Sequence, residues 1–291
     1  MDYAIYLAAL TMLFISLTVG LRVLVGMCGI ISVSQATFFG IGAYGAVLSQ
    51  KVLGIAPLIA LLPLAVGGAI LGYTVARSAL RIRDDYLVIF TLAVQLIFTN
   101  VLRNGGELTG GPAGIADIPP IVGIGGGSTS FVVLSISSAI MVSVVVASLL
   151  LDRAPFGRAL LAMRDDEIFA RSLGRNTPGL KTAAFAISAA MAVSVGAIYP
   201  YFTGFIDPTQ FTINQSIAIL SMVIVGGASR ISGAVTGAVL LVLLPEALRS
   251  FGSVGAIGNI RQIALGALLT FFVVFRPSGI VGQNVFGKRR L

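Results

Sequence analysis

A chain of 291 residues with 57% hydrophobic and 10% charged side chains and a mean hydropathy of +1.01 is not a soluble domain, in which about 25% of residues are charged; this is the composition of an integral membrane protein. The net charge of +8, from 19 basic and 11 acidic residues, in such a chain records cytoplasmic loops rather than nucleic acid binding. With no histidine and one cysteine, Cys28, the sequence lacks an imidazole acid–base pair, a thiolate–imidazole couple or a zinc cluster, so no metal site is expected; Cys28 sits in an apolar, glycine-rich run and reads as a packing residue.

At about 20 apolar residues per crossing of a bilayer core, the sequence predicts nine spans, at roughly 4–22, 33–53, 57–76, 86–102, 130–151, 182–203, 213–228, 233–250 and 261–275. The expected fold class is all-α, a polytopic membrane helical bundle of about 8–10 transmembrane helices, with 1–291 forming a single transmembrane domain and no soluble domain at either end. The seventh and eighth spans are short apolar runs separated by Gly226, Gly227, Ser229, Arg230, Ser232 and Gly233, as in a broken or re-entrant pair.

The N-terminus carries Asp2, no basic region, and its first arginine, Arg22, after the apolar run, the reverse of a signal peptide; 4–25 reads as a retained span starting outside. With the N-terminus outside and the C-terminus cytoplasmic, inside loops hold 15 of the 19 basic residues, leaving Lys51, Arg103, Arg249 and Arg261 outside. Tyr3, Tyr6, Tyr199 and Tyr201 are expected in an outer interfacial belt and Tyr86 in an inner one. GAILG at 68–72 and GAVTG at 233–237 read as close-packing faces.

Two connections are long. The outer one, 103–129, is turn-rich and expected to lie at the surface or fold partly back. The inner one contains RAPFGRALLAMRDDEIFARSLGRN at 153–176. Inserting Arg158, Arg164, Asp165, Asp166, Glu167 and Arg171 into a bilayer costs roughly 15–21 kcal/mol, so the segment belongs in water. It nevertheless reads as folded: Pro155 suits a first helical turn, Phe156, Leu160 and Met163 form a stripe, Gly174 suits a C-cap, and Asp165 or Asp166 can cap a second short helix through Ile168, Phe169 and Leu173. An amphipathic helix on lipid headgroups is the simpler reading, but three consecutive acids are repelled by anionic lipid, and a protein partner accounts better for the mixed charge. The neighbouring GRNTPGLKT, 174–182, approximates a phosphate loop but has an extra Leu180 before Lys181 and no preceding strand, so no nucleotide is expected on this chain.

Polar groups within the spans are candidates for the translocation path. Ser32, Ser34 and Gln35 precede ATFFGIGAYG, either a helix start whose N–H groups face a substrate carboxylate or a set of groups bonding neighbouring helices. Gln95 and Thr99 share a helix face, to line a path or, more in keeping with their spacing, to bond across helices. Glu246 and Arg249 are expected to pair at an outer end.

The stretch 157–199 resembles the cytoplasmic loop and following helix of branched-chain amino acid type ABC importer permeases, and GIISVSQATFFGIGAYGAVL at 29–48, LRIRDDYLVIFTLAVQLIFTNVLRN at 80–104, LTGGPAGI at 108–115, VIVGGASRISGAVTGAVLLVLLPEALR at 223–249 and RPSGIVG at 276–282 agree in order. RIRDDYLVIFTLA and LTGGPAGI favour the LivM-type subunit. The resemblance implies a permease half, not an enzyme, working in the bacterial inner membrane with a second homologous permease, two cytoplasmic ATPase subunits that hold the ATP, and a periplasmic substrate-binding protein; no cofactor is implied for this chain. It further implies that 153–176 is the ATPase-coupling segment, with Gly157, Arg158, Arg164, Asp165, Asp166, Glu167, Gly174 and Lys181 as its coupling residues. Gln35, Thr37 and Arg171 depart from the family's usual residues, which bears on substrate and ATPase partner more than on fold. Urea, amides and aromatic acids are alternative cargoes; a stand-alone secondary transporter would have only Glu246 for ion coupling, and a membrane enzyme would lack catalytic groups.

Overall fold

The computed structural model describes residues 3–79, 86–118, 129–249, 266 and 279–281. The long elements are helical: α1 (Tyr3–Arg22), α2 (Gln35–Leu53), α3 (Pro57–Ala79), α4 (Leu87–Asn104), the short α5 (Gly106–Thr109), α6 (Thr129–Arg153), α7 (Pro155–Asp165), α8 (Glu167–Ser172), α9 (Thr177–Gly196), α10 (Tyr199–Thr203), α11 (Ile213–Gly226) and α12 (Ile231–Arg249). Five helical stretches among the described residues are long and apolar enough to span a membrane, so the protein is a multi-pass helical bundle; the ninth expected span, 261–275, lies outside the described residues apart from Gly266.

α1 is the axis of the bundle. Leu13, Leu17, Leu21 and Leu24 are fully buried, and the helix packs on α6, α9, α11 and α12. It runs beyond the expected end at 22–25, continuing after Arg22 as a π-helix, Val23–Cys28. Arg22 is therefore not a loop residue but is 4% exposed inside the bundle, and that corrects its place in the inside-loop count.

Small residues set the helix spacing. A Cβ on Gly68 or Gly72 would come within 2.5 Å of Val193 or Ala189, so GAILG is the α3 face that packs on α9. A Cβ on Gly42 would lie 2.1 Å from the Val193 carbonyl oxygen where α2 crosses α9. Gly42→Ala is expected to cost about 1–3 kcal/mol, read as a lower thermal midpoint of the purified protein in detergent. Gly67→Ala, where nothing lies within 4 Å, should leave the midpoint unchanged, and equal midpoints for the two would refute this contact.

The sixth expected span divides. α9 ends at Gly196 and α10 begins at Tyr199, because Pro200 has no N–H to continue the ladder and its ring crowds the carbonyl four residues back. α11, with 14 residues, reaches only about 21 Å, shorter than a bilayer core of about 30 Å, and the chain breaks at 227–230, between the seventh and eighth expected spans, before α12, whose 19 residues reach about 28 Å. GAVTG is its packing face: Cβ atoms on Gly233 and Gly237 would meet the Gly227 and Met222 carbonyls at 2.2 and 2.0 Å. Beyond α12, the Ile280 and Val281 amides donate to the Val225 and Gly226 carbonyls at 2.9 and 3.1 Å, satisfying acceptors that the end of α11 leaves open.

At the other end of the bundle the described part of the glycine-rich connection, 105–118, folds back and is joined to the stretch before α11 by the antiparallel bridge Ile115–Ile206. Here the tyrosine belt is corrected. Tyr201 is 4% exposed, its hydroxyl donating to the Ala46 carbonyl at 3.1 Å, and Tyr199 packs against Phe39 and Phe211. Tyr6 stacks on Phe202 at 4.4 Å. Only Tyr3 and Tyr86 of the expected belts are exposed. Around the break between α9 and α10 these rings pack into or against the core.

Candidate functional site

α7 and α8, joined through the extended Asp166, lie at the end of the bundle where α1, α6 and α11 finish. Pro155 starts α7, and Leu160 and Met163 bury its apolar stripe. Asp166 ends α7 and caps α8, its carboxylate accepting from the Phe169 N–H at 2.9 Å. Gly174, at φ +78°, closes α8, and the Arg175 amide reaches back to the Ala170 carbonyl.

One side of this segment is fastened to the bundle. Gly157 lies so close to the end of α6 that a Cβ would be 2.0 Å from the Leu151 carbonyl oxygen. Arg164 donates to the Gly26 carbonyl at the end of the π-helix. Burial lowers the Arg164 pKa, partly opposed by the Asp165 charge. Glu167 accepts from Lys181 Nζ and from Arg171 Nη2, both at 2.8 Å, and Arg171 Nε donates to Thr177 Oγ1 at 2.8 Å. Burial pushes the Glu167 carboxyl up, but the Lys181 hydrogen bond and charge, the Thr177 hydrogen bond and the Arg171 charge outweigh it and hold it below its ordinary value. Lys181, the lysine of the phosphate-loop lookalike, is thus 6% exposed and engaged with Glu167.

The other side faces outward. Leu161, Ile168, Phe169 and Leu173 are 40%, 83%, 61% and 67% exposed, with Arg158, Asp165 and Asp166 exposed among them. Four exposed apolar side chains thus stand on one segment with two exposed carboxylates, a combination that a lone surface side chain does not present.

Arg22 secures the same end from inside. Its guanidinium donates to Asp152 at 3.0 Å and Ser148 at 3.2 Å on α6, and to the Ser229 carbonyl at 3.1 Å in the turn before α12.

The intramembrane polar residues gather where α2 begins. Ser32, Ser34, Gln35, Thr37, Thr91, Gln95, Thr99, Ser188 and Ser216 are all between 0 and 8% exposed. The Ala36 N–H of α2 donates to Ser216 Oγ at 2.9 Å, and the Val33 N–H to Thr91 Oγ1 at 3.2 Å. Gln95 uses both ends of its amide. Its oxygen accepts from Thr37 at 2.9 Å and Ser216 at 3.0 Å, and its nitrogen donates to the Phe211 carbonyl at 2.7 Å and to Thr99 at 3.4 Å. Gln35 accepts from Ser188 at 3.5 Å, and its Nε2 is buried without a hydrogen-bond partner.

A family model described as branched-chain amino acid transport system / permease component matches residues 3–274. The chain belongs to this permease family. It is 34% identical to the high-affinity branched-chain amino acid transport system permease protein LivM of Escherichia coli (strain K12), over 94% of this chain and 69% of that protein. The same figures hold for LivM of Salmonella typhimurium. The probable LivH permease of Methanocaldococcus jannaschii is 25% identical over 96% of this chain and 91% of that protein. No solved structure matches.

Within this permease, then, Gly157, Arg164, Glu167, Gly174 and Lys181 shape or fasten the charged segment, while Arg158, Asp165 and Asp166 stand on its open side. Ser32, Ser34, Gln35, Gln95 and Thr99 come together in one cluster. Sequence reasoning overlooked Ser216 and Ser188, the partners that make it a cluster, and Asp152, the partner of Arg22. Ser148 and Asp152, one helical turn apart, were the available signal for a polar face on α6.

Proposed function

We propose that this permease is one half of the translocation path of an ATP-driven ABC importer for branched-chain or related amino acids, and that α7 and α8 are where it meets its motor. In this reading two cytoplasmic ATPase subunits hold the ATP, a second homologous permease completes the path, and a periplasmic binding protein delivers the substrate. The chain sits in the bacterial inner membrane with its N-terminus outside and its C-terminus cytoplasmic. Support for the cargo comes from the LivM relatives, whose names carry branched-chain amino acid transport.

One observation carries the coupling role: a folded segment tied to the bundle through Arg164, Glu167 and Lys181 presents Ile168, Phe169 and Leu173 to water beside Asp165 and Asp166. An anionic headgroup layer repels those acids, whereas an apolar groove with a basic rim accommodates both features. Ser32, Ser34, Gln35, Gln95 and Thr99 are assigned to the wall of the path in its closed state, supported by the concentration of buried polar groups at the start of α2.

Asp166 also caps α8, so reversing its charge would disturb both fold and surface. Ile168→Asp with Phe169→Asp is the cleaner test. The double variant should accumulate in the membrane yet lose co-purifying ATPase subunits and at least ~10-fold of substrate-stimulated ATP hydrolysis in proteoliposomes. Wild-type co-purification and stimulation would refute the assignment.

A further inference from the structure

The coupling segment touches the membrane bundle at the π-helical end of α1, at α6 and at α9, and the first of these contacts leads to the polar cluster. The last carbonyls of a helix have no partner within it, and at the π-helical end of α1 the Gly26 carbonyl is taken by Arg164 of α7. The same arginine lies over the next turn of chain: a Cβ on Gly29 would be 3.0 Å from Arg164 Cγ, and Gly29 stands at φ +76°, where a side chain is disfavoured. Just before it, Gly157 places α7 against Met27, 2.9 Å from where a Cβ would be. From Gly29 the chain runs without helix to Ser34, with Ser32 and Ser34 bonded to each other and the Val33 amide bonded to Thr91, and then opens α2 within the polar cluster. A cavity of about 770 Å³, bordered by Gly29, Ile30, Ile31, Leu87, Val88 and Asp165, lies beside this run. Five residues, 30–34, therefore separate the Arg164 contact at Gly29 from the start of α2, and Gly29, Ile30 and Ile31 have open volume next to them.

We propose that Arg164 is the positioning residue that carries displacement of the α7–α8 segment into the membrane, by holding the Gly26 carbonyl and packing over Gly29 so that the 29–34 run and the start of α2 follow α7. It rests on the proposed meeting of this segment with an ATPase, but differs from it in direction: Phe169 and Ile168 face the motor, whereas Arg164 faces the permease. The side chain suits the task because its long stem packs over Gly29 while its charged end, through Nη1, holds the Gly26 carbonyl.

The test uses the complete transporter in proteoliposomes with its binding protein. Arg164→Met keeps the stem over Gly29 and removes the donors. ATPase subunits should remain bound and basal hydrolysis should persist, while substrate stimulation falls ~10-fold; Arg164→Lys, which restores a donor, should recover stimulation to within ~3-fold of wild type. Ile31→Cys, at a position 46% exposed, reports the movement by its rate of maleimide labelling. Nucleotide should change that rate in the wild-type background and not in Arg164→Met. Stimulation within ~2-fold of wild type in Arg164→Met, loss of its ATPase subunits, or nucleotide-dependent labelling that survives the substitution overturns the inference. If the wild-type complex itself shows no ATPase association or stimulation, it is the underlying function that falls.

Discussion

Replacing Asp152 with alanine is expected to destabilise the permease by about 3 kcal/mol. Arg22 is 4% exposed, and Asp152 is the anionic partner of its guanidinium; the other bonds run to a hydroxyl, Ser148, and a carbonyl, that of Ser229. Its Nε already lacks a partner. Deleting the carboxylate leaves a buried cation supported by dipoles alone; Asp152 itself is 29% exposed, which holds the cost at the low end of the range for buried pairs, where removing one member is worse than removing both. Arg22→Leu combined with Asp152→Ala should therefore recover most of the loss. The measurement is the thermal midpoint of the single and double variants in detergent. A double variant no more stable than Asp152→Ala would mean that the pair is not the source of the effect.

Gln95→Leu should cost about 2–3 kcal/mol although leucine is well suited to a membrane helix. The substitution strands the Thr37 and Ser216 hydroxyls and takes the shortest hydrogen bond from the Phe211 carbonyl, all in a region closed to water. Because these partners belong to α2, α11 and the turn before α11, the variant loosens three elements at once. Asn100→Leu, five residues along the same helix but on an exposed face, is the control and should stay within about 0.5 kcal/mol of wild type. Equal midpoints for the two variants would show that burial of the amide carries no stability.

Much of the architecture was legible because lipid imposes its own grammar: apolar runs gave α3, α4 and α6 within a few residues, and the glycine pair of GAILG marked a packing face, whose partner, α9, only the fold supplies. The fold of α7 and α8 was legible for a different reason, since a proline start, an aspartate cap and a glycine stop are local signals that do not depend on the rest of the chain. What composition concealed was partnership at long separation. Arg22 looks like a loop marker in a list of basic residues, and only folding brings Asp152 and the Ser229 carbonyl to it. Gln95 and Thr99 were recognisable as neighbours, but Ser216, 121 residues beyond Gln95, was not. Tyr199 and Tyr201 were misplaced for the same reason, because their burial depends on Phe39, Phe211 and Ala46, which come from other parts of the chain.

The backbone bonds from Ile280 and Val281 to the end of α11 carry a consequence for how this permease can vary. They use amide hydrogens, which every residue but proline possesses. A Cβ on Gly279 would stand 2.5 Å from the Gly227 backbone. Substitution in this tail is thus filtered by main-chain fit more than by chemistry: aliphatic exchanges at 280 and 281 pass, whereas a proline there or any side chain at 279 detaches the tail from a helix too short to span the bilayer unaided.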